Sequence, residues 1–360
     1  MSKDIKKIRD KIDSLDNKIL ELLNDRAGLA VNISKEKQKS KDIDNFYNPE
    51  REAQVISRIK ELNQGPLSDE GILKIYRELM SACLSLEAPL KVSYLGPEGT
   101  YTHLATQNHF GASVISMSYS SVEDVFMSVE KRDSHYGVVP VENSTQGIVS
   151  STLDMFMKSS LRISGEIETS IKHNVLSKSN SLESIKKIYA HPQSFAQCKQ
   201  WLEKNYPKIE KVNVLSNAEA ALIASREKNS AAIASIVAAD IYKLNVLNKN
   251  IEDNHNNSTR FLVIGERDTN PSGNDKTSII VSTKNDSGAL YGLLEPLSKY
   301  KVSMTRIESR PSKHNNWEYI FFLDLDGHIK DESLKKANEE IKKEASLYIF
   351  LGSYPAAISK

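Results

Sequence analysis

The sequence has little that would attract a nucleic acid or a membrane. Its 48 lysine and arginine residues are balanced by 47 acidic residues, so there is no overall field for a polyanion. Any anionic ligand must therefore be bound by local basic residues. The segment Met1–Lys7 lacks the apolar core of a signal peptide, and no apolar run approaches the length that spans a bilayer. These absences predict a cytoplasmic protein that contacts neither membranes nor nucleic acids.

Motifs for metals and nucleotides are also missing. The two cysteines, Cys83 and Cys198, lie far apart and fit no metal-ligand spacing. The eight histidines include no HExxH pair, and the chain contains neither a GxGxxG loop nor a Walker loop. We therefore expect no cofactor and no metal. At 360 residues the chain has room for two or three domains with cores of their own.

One stretch, Gly137–Gly147 (GVVPVENSTQG), joins an apolar half to a polar half. The first half has the β-branched residues of a short buried strand, and the chain turns polar at Glu142. Such a strand delivers amides and hydroxyls, among them Asn143 and Ser144, to the carboxyl edge of a sheet. Open α/β folds bind small anionic ligands at that edge, next to a helix N-terminus. The alternative is a polar loop with a helix cap at Ser144 or Thr145.

The first 88 residues have a helical pattern. A first helix continues to about Lys39, and its apolar residues recur at spacings of three and four: Ile5, Ile8, Ile12, Leu15, Ile19 and Leu22. After a polar break at Ser40–Pro49, a second helix covers Glu50 to about Asn63, and a third follows a cap at Ser68 and reaches Leu86. A first helix of about 35 residues would be roughly 50 Å long at ~1.5 Å per residue. So small a domain cannot bury it alone, and pairing with a second chain is expected.

Five short segments of this region form a set whose order is more informative than any one of them: Ile8–Asp13, Leu23–Arg26, Lys35–Lys37, Pro49–Glu52 and Ser81–Glu87. Together they resemble the all-helical chorismate mutases. The resemblance implies that Arg9, Arg26 and Arg51 bind the carboxylates and hydroxyl region of the substrate. It also places Lys37 and Glu87 at the ether oxygen and Glu52 at the hydroxyl.

The residue types suit that reaction. A Claisen rearrangement needs no nucleophile, only a compact substrate conformation and donors for the charge that builds on the ether oxygen. Asn48 and Cys83 stand where some relatives have Asp and Ser, and we include both among the substrate contacts. Taken singly, a charged residue of this kind is more often just a solvated side chain, and the family resemblance is what changes this interpretation.

From Lys91 onward, strand and helix patterns alternate. Strands are predicted at 91–95 and near 136–141, 174–177, 188–190, 212–215, 231–234 and 261–264. Alternation of this kind favours parallel sheets with helices on both faces. Asn174 begins a second lobe and Thr259 marks a return to the first. The expected architecture is therefore two lobes with a cleft between them, similar to type 2 periplasmic binding proteins.

A second set of segments spans this region: Gly96–Thr100, Val141–Gly147, His191–Cys198, Asn217–Ala221 and Asn257–Phe261. The set resembles prephenate dehydratase over about residues 91–268. That family expels carbon dioxide and hydroxide from prephenate and leaves phenylpyruvate, with aromatisation as the driving force. The enzyme must orient the dianion and help the hydroxide to depart.

The resemblance assigns Thr259 to the departing hydroxyl, as an acid or as a hydrogen-bond donor. The alternative for Thr259 is a cap on the turn before a strand. Arg260 is expected to pair with a substrate carboxylate or with a cleft acid such as Glu142. Substrate contacts are assigned to side chains of the same segments: Glu142, Asn143, Ser144, Gln146, Gln197 and Arg260.

After a linker at Asp268–Asp275, residues 276–360 show a β-α-β-β-α-β pattern, which is ferredoxin-like. The strands are Thr277–Thr283, Val302–Ser309, Glu318–Leu325 and Leu347–Ser353, and the helices are Gly288–Lys299 and Asp331–Lys343. Ser287–Leu290 and Glu308–Pro311 resemble the effector-binding motifs of ACT domains. This implies a phenylalanine site between paired domains that uses Gly288, Ala289, Leu290, Glu308, Ser309 and Arg310. The alternatives are a helix cap and a strand end.

The sequence thus predicts three domains: an all-helical, dimerising mutase at 1–88, a two-lobed α/β dehydratase at 91–268, and an α+β ACT domain at 276–360. The expected function is bifunctional, with chorismate and prephenate as substrates, feedback inhibition by L-phenylalanine and a homodimer or higher oligomer. One alternative is an arogenate dehydratase, whose substrate carries an amine in place of the keto group. Another is a non-catalytic two-lobed amino-acid sensor.

Overall fold

The structure is a computed structural model, and it describes residues 3–39, 47–283, 286–311 and 319–357. The chain divides into two compact units. The first comprises the described residues up to Asn48, together with Val55–Leu90 and Asn108–Ile115. The second comprises Pro49–Gln54, Lys91–Gln107 and the described residues from Ser116 onward.

The N-terminal region is helical, as predicted. Helix α1 (Lys3–Lys39) is continuous over 37 residues, and α2 (Pro49–Leu62) and α3 (Asp69–Ser85) follow it. Ser68 caps α3, because its hydroxyl accepts a hydrogen bond from the backbone nitrogen of Gly71 at 3.2 Å. Of the predicted polar break, residues 40–46 lie outside the described residues.

Helix α1 carries its apolar stripe on the surface of the described chain. The six residues of the stripe are between 45% and 66% exposed: Ile5, Ile8, Ile12, Leu15, Ile19 and Leu22. Helix α3, by contrast, buries Leu73, Ser81 and Cys83. Against Ser81 lies Gly111, where φ is +75° and an added Cβ would come within 2.5 Å of the serine Cβ. Only a glycine fits this close approach without displacing its neighbour.

The second unit begins with a lobe built on a six-stranded sheet. Its elements are β1 (Lys91–Leu95), α4 (Tyr101–Phe110), β2 (Ile115–Tyr119), α5 (Val122–Glu130), β3 (Tyr136–Asn143), β4 (Gly147–Ile148), α6 (Ser150–Phe156) and β5 (Arg162–Ser170). The chain then leaves this sheet and returns as β11 (Ser258–Gly265), which lies between β3 and β5. The strand order is β2-β1-β3-β11-β5, and β4 pairs with β3.

The second lobe is built on a five-stranded sheet of order β10-β6-β9-β7-β8. Its elements are β6 (Asn174–Ser177), a 3-10 turn (Leu182–Ser184), β7 (Lys187–Ala190), α7 (Pro192–Gln197), α8 (Lys199–Asn205), β8 (Glu210–Asn213), α9 (Asn217–Ala224), β9 (Ser230–Ala234), α10 (Ile236–Tyr242) and β10 (Asn245–Asn248). The predicted two-lobed arrangement, with departure at Asn174 and return near Thr259, is confirmed.

Both sheets are mixed, so the prediction of parallel sheets is wrong. Strands β1 and β3 are parallel, but β11 runs antiparallel to both of its neighbours. In the second lobe, β7 is parallel to β8 and β9, whereas β6 pairs antiparallel with β9 and β10. A strand that returns from another lobe enters without the crossover helix that makes neighbouring strands parallel.

The C-terminal elements have the predicted order β-α-β-β-α-β. They are β12 (Asp275–Thr283), α11 (Ala289–Lys299), β13 (Met304–Pro311), β14 (Tyr319–Asp326), α12 (Glu332–Glu344) and β15 (Leu347–Pro355). The four strands form an antiparallel sheet of order β13-β14-β12-β15. The predicted strand start at Glu318 lies outside the described residues.

This C-terminal sheet has two buried faces. Ile279 and Val281 pack with α11 and α12, whereas Ile280, between them in sequence, joins the core of the first lobe. The alternation follows from the two-residue period of a strand. Strand β15 approaches β5 so closely that a Cβ on Gly352, where φ is +144°, would lie 2.4 Å from the carbonyl oxygen of Ile163. The C-terminal sheet is thus packed directly on the first lobe.

Candidate active site

Asn143 and Thr259 lie opposite each other on the paired strands β3 and β11. The Asn143 amide Nδ2 donates a hydrogen bond to Thr259 Oγ1 at 2.8 Å. Since the threonine oxygen accepts this bond, its own hydroxyl proton remains available for another acceptor. Thr259 lies within β11 and is 9% exposed. The structure therefore shows a strand residue and not the turn cap of the alternative interpretation.

Asn257 lies at the centre of the polar turn that follows β3. Its Oδ1 accepts hydrogen bonds from the Ser144 hydroxyl, the Thr145 hydroxyl and the Asn143 amide, each at 3.1 Å. Asn143 Oδ1 in turn accepts from the backbone nitrogens of Thr145 and Gln146 at 3.1 Å. These bonds turn the chain into β4. The alternative of a helix cap at Ser144 or Thr145 is wrong.

Asn257 was not predicted as a site residue, although it lies in the segment Asn257–Phe261 that resembles the dehydratase family. It precedes β11, so strand alternation does not apply to it and the sequence carries no signal for its role. The Asn257 side-chain nitrogen is buried and has no hydrogen-bond partner among the described residues. A buried amide donor without a partner is unusual in a folded protein, and a bound acceptor would satisfy it.

Gln197 belongs to a second hydrogen-bonded group, at the end of α7. Its Oε1 lies 2.7 Å from His173 Nε2, and the Tyr101 hydroxyl lies 2.9 Å from His173 Nδ1. Burial lowers the pKa of His173, against the opposing effects of Gln197 and Glu252, so the imidazole is neutral near pH 7. A neutral ring that donates from Nε2 accepts at Nδ1, and the single Tyr101 proton is then shared between Nδ1 and the carbonyl oxygen of Lys172, 2.8 Å from the tyrosine hydroxyl.

This arrangement leaves the Gln197 side-chain nitrogen directed away from His173. Like the amide of Asn257, it is buried and has no hydrogen-bond partner in the part of the chain that the structure describes. His173 and Tyr101 were not predicted as site residues. A lone histidine and a lone tyrosine have no spacing that distinguishes them in the sequence, so only the fold reveals their role in orienting Gln197.

Arg260 and Glu142 bind other protein side chains, which corrects their assignment to substrate contacts. They are adjacent in sequence to Thr259 and Asn143, and neighbouring side chains of a strand point to opposite faces. Arg260 donates to Glu166 and to Asp324. Glu142 lies 3.4 Å from Nε of Arg306. The proposed pairing between Arg260 and Glu142 is therefore replaced by two separate contacts with other partners.

In the first unit, the structure brings together Lys37 and Glu87. Lys37 Nζ lies 3.5 Å from Glu87 Oε2, and the glutamate side chain is only 9% exposed. Arg26 is half-buried on α1, and Arg9 is exposed near the other end of that helix. The remaining mutase candidates lie on or beside the shorter helices: Asn48, Arg51 and Glu52 at the start of α2 and buried Cys83 on α3.

Known proteins match both parts of the chain. Residues 92–269 match the family model for prephenate dehydratase, and residues 8–88 match that for chorismate mutase type II. A Pseudomonas aeruginosa protein described as a bifunctional chorismate mutase/prephenate dehydratase is 47% identical over 358 residues, or 98% of each chain. The chain belongs to the family of bifunctional chorismate mutase/prephenate dehydratases. It carries a chorismate mutase domain and a prephenate dehydratase domain.

Solved structures resemble about three quarters of the chain. A prephenate dehydratase from Arthrobacter aurescens, solved in complex with L-Phe, is 30% identical with a TM-score of 0.68, and the match covers 74% of this chain and 90% of that one. GqqA, described as a novel type of quorum-quenching acylase, is 26% identical with a TM-score of 0.69, and the match covers 74% and 98%.

The residues predicted to bind an effector lie on two elements of the C-terminal region. They are Gly288, Ala289 and Leu290 at the start of α11, and Glu308, Ser309 and Arg310 on β13. Gly288 precedes α11 with a φ of +83°, a conformation that favours glycine. Arg310 Nη1 donates to Asp154 Oδ1 of α6 at 2.9 Å, whereas Ser309 is exposed. The two neighbours on β13 are thus in different environments.

No helix in the described ranges is both long and apolar enough to cross a membrane. Within the same residues, no group of three or more histidine, cysteine, aspartate or glutamate side chains is arranged to hold a metal ion.

Proposed function

We propose that the chain catalyses two consecutive reactions. The helical domain at 1–88 rearranges chorismate to prephenate, and the domain at 91–268 converts prephenate to phenylpyruvate, carbon dioxide and water. The observation that supports the second reaction best is the Asn143–Thr259 hydrogen bond at 2.8 Å. It leaves the threonine proton as a donor, and the same Asn143 amide also donates to Asn257.

In this mechanism Thr259 donates to the hydroxyl group that departs from prephenate. Donation from Asn143 to the threonine oxygen strengthens the threonine as a donor, because hydrogen bonds in a chain polarise one another. Asn257 and Gln197 offer buried amide donors without protein partners among the described residues, and prephenate supplies carboxylate and keto acceptors. Ser144 and the backbone at Gln146 hold this turn in place.

The mutase proposal rests on Lys37 and Glu87, whose side chains meet at 3.5 Å. Lys37 donates to the ether oxygen of chorismate as its bond breaks, and Glu87 does so when it is protonated. The further substrate contacts of this proposal come from the family resemblance: Arg9, Arg26, Asn48, Arg51, Glu52 and Cys83.

The C-terminal region at 276–360 is proposed to be an ACT domain that binds L-phenylalanine between paired copies of the chain. Support comes from the relative solved with L-Phe and from the position of β13, an edge strand of its sheet. The exposed apolar stripe of α1 supports a dimer as well. As an enzyme of phenylalanine biosynthesis, the protein is placed by this proposal in the cytoplasm.

The test is to supply chorismate to the purified chain and to measure phenylpyruvate by its absorbance in alkali. Thr259→Ala should lower dehydratase turnover by about 10²-fold or more and leave mutase turnover unchanged. Thr259→Ser, the matched control, retains the hydroxyl and should keep most of the activity. A normal dehydratase rate in Thr259→Ala would remove this residue from the mechanism. Assays with prephenate and arogenate in parallel decide between the two substrates.

A further inference from the structure

The strands that carry Asn143 and Thr259 present a second pair of residues on their opposite face. Glu142 and Arg260 are Cα partners, immediately next to the Asn143 and Thr259 pair. Because side chains alternate along a strand, the Glu142 and Arg260 pair points to one face of the sheet and the Asn143 and Thr259 pair to the other. A displacement of Arg260 would therefore be transmitted to Thr259 through one peptide unit.

Arg260 is held by partners on three different strands. Its Nε donates to Glu166 of β5, its Nη1 to Asp324 Oδ2 of β14 at 2.5 Å, and its Nη2 to the Tyr354 hydroxyl of β15 at 3.1 Å. Arginine presents its N–H groups in a rigid planar fork, so three acceptors fix both position and orientation. Two of the three acceptors belong to the C-terminal sheet.

The partners of Arg260 are themselves held in place. Lys276 Nζ lies 3.0 Å from both carboxylate oxygens of Glu166, and the Ser278 hydroxyl donates to Asp324 Oδ1 at 2.5 Å. Burial alone would raise the pKa of Glu166, but the charges of Arg260 and Lys276 outweigh it and hold that pKa below its usual range. The cluster therefore contains two cations and two carboxylates in balance.

The C-terminal sheet and β11 also share an apolar core. Ile280, Ile320 and Phe322 of the C-terminal sheet belong to the same buried cluster as Leu262 and Ile264 of β11. Apolar contacts are not directional, and by themselves they would tolerate a sliding of one sheet over the other. A buried charge cluster does not tolerate it, because a shifted arginine would lose its acceptors and leave charges uncompensated. The cluster thus fixes one alignment of β11 against the C-terminal sheet.

We infer that Arg260 is a positioning residue for the dehydratase reaction: it anchors β11 to the C-terminal sheet and thereby sets the location of the Thr259 hydroxyl. The inference rests on the proposed dehydratase function. It assigns Arg260 no contact with substrate, and it gives the C-terminal sheet a role in catalysis that does not depend on any effector.

The test measures kcat and KM for prephenate with the full-length chain. Asp324→Asn keeps the shape of the acceptor but removes its charge, and it should lower kcat by about ten- to a hundredfold while KM stays within about twofold. Arg260→Lys keeps the positive charge but loses the planar fork of N–H groups, so kcat should fall in this variant as well. The double variant should be little worse than either single one, because both break the same contact.

Glu266→Gln is the matched control. Glu266 follows β11 directly and pairs with Arg132 at 3.0 Å on the surface, without contact to the cluster. We expect no change in kcat from this variant. A thermal melt followed by circular dichroism checks that each variant is folded. If Asp324→Asn fails to fold, Tyr354→Phe removes one acceptor only and should lower kcat less.

Two results would overturn the inference. One is a normal kcat in folded Asp324→Asn and Tyr354→Phe. The other is an Arg260→Lys variant with a raised KM and an unchanged kcat, which would show that the arginine binds substrate after all. A wild-type chain that fails to convert prephenate would instead refute the proposed function, so the two failures are distinguishable.

Discussion

At the scale of single residues, His173 makes the folded protein sensitive to pH. It is 1% exposed and hydrogen-bonded through both ring nitrogens, to Tyr101 and Gln197. Burial lowers its pKa below the value of about 6.5 that an unfolded chain gives it. Between the pKa of His173 in the folded protein and pH 6.5, the unfolded state therefore binds more protons than the folded state. The stabilisation that neutral His173 gives to the folded state is complete above pH 6.5. It is lost as the pH falls through the pKa that His173 has in the folded protein.

We expect the wild type to have a higher melting temperature than His173→Gln. This difference should be largest above pH 6.5 and should become smaller towards pH 5. Glutamine keeps a donor near the position of Nε2 but cannot be protonated. His103 and His109, whose pKa values burial also lowers, titrate in both proteins, so the difference between the two curves isolates His173. A difference that stays constant from pH 7.5 to pH 5 would contradict this assignment.

The sequence was sufficient to predict Asn143 and Thr259 as site residues. It was not used to predict that Glu142 and Arg260, beside them, point to the opposite face of the sheet. Asn143 and Thr259 came from short segments that resemble a family, and the structure brings them within 2.8 Å. Arg260 and Glu142 came from the same segments, and both were assigned to the cleft. Strand periodicity alone would have separated Arg260 from Thr259. The partners of Arg260 and Glu142, however, are distant in sequence. Asp324, for example, lies more than sixty positions after Arg260, and no local pattern could identify such a partner.

At the scale of elements, β13 combines an effector motif with contacts to the dehydratase domain. Arg306 and Arg310 contact Glu142 and Asp154, whereas Ser309, on the other side of the strand, is exposed. A ligand that binds at the exposed side of β13 would therefore act on an element already bonded to the residue next to Asn143. This is the physical basis for expecting phenylalanine to weaken prephenate binding.

Ser309→Ala should relieve phenylalanine inhibition and leave uninhibited turnover unchanged. It is a sharper choice than a change at Arg310, which would also break the bond to Asp154. The matched control is Ser298→Ala, an exposed serine of α11. By thermodynamic linkage, prephenate should weaken the binding of phenylalanine by the same factor by which phenylalanine weakens the binding of prephenate. Calorimetry that detects no phenylalanine binding to the intact wild type would reject the effector site.

The elements themselves were predictable to different degrees. Apolar strands such as β9 were found within one or two residues of their observed bounds. Strand β5 was missed, because its sequence RISGEIETS contains two glutamates and an arginine. Glu166 is nevertheless buried there, since Arg260 and Lys276 compensate its charge. A strand that is polar because of a tertiary ion cluster has no signature in a local hydrophobic pattern.

At the scale of the whole molecule, the geometry of α1 bears on how many chains form one mutase site. The helix is continuous from Lys3 to Lys39. Arg9 and Arg26 are therefore about 25 Å apart along its axis and point about 100° apart around it. Arg26 and Lys37, at ~16 Å and on one face, can flank a single ligand. Arginine side chains that each reach about 6 Å leave a gap between Arg9 and Arg26 that is wider than chorismate.

A second copy removes this difficulty. The apolar stripe of α1 is exposed on the described chain, and two long helices that pair antiparallel along it would bring Arg9 of one chain towards Arg26 of the other. A two-fold axis would then generate two equivalent sites, each built from both chains. Arg9→Ala and Arg26→Ala chains should each be nearly inactive as mutases when pure, because every site then lacks one arginine.

Mixing the two inactive proteins provides the decisive measurement. A mixed dimer of Arg9→Ala and Arg26→Ala chains contains one site with both changes and one site with neither. Random reassortment makes half of the dimers mixed, so about a quarter of the wild-type mutase activity should return. Dehydratase activity, which involves neither arginine, should be normal throughout and reports the amount of folded protein. Mixed dimers that are verified by mass and still recover no mutase activity would show that Arg9 and Arg26 serve a site within one chain.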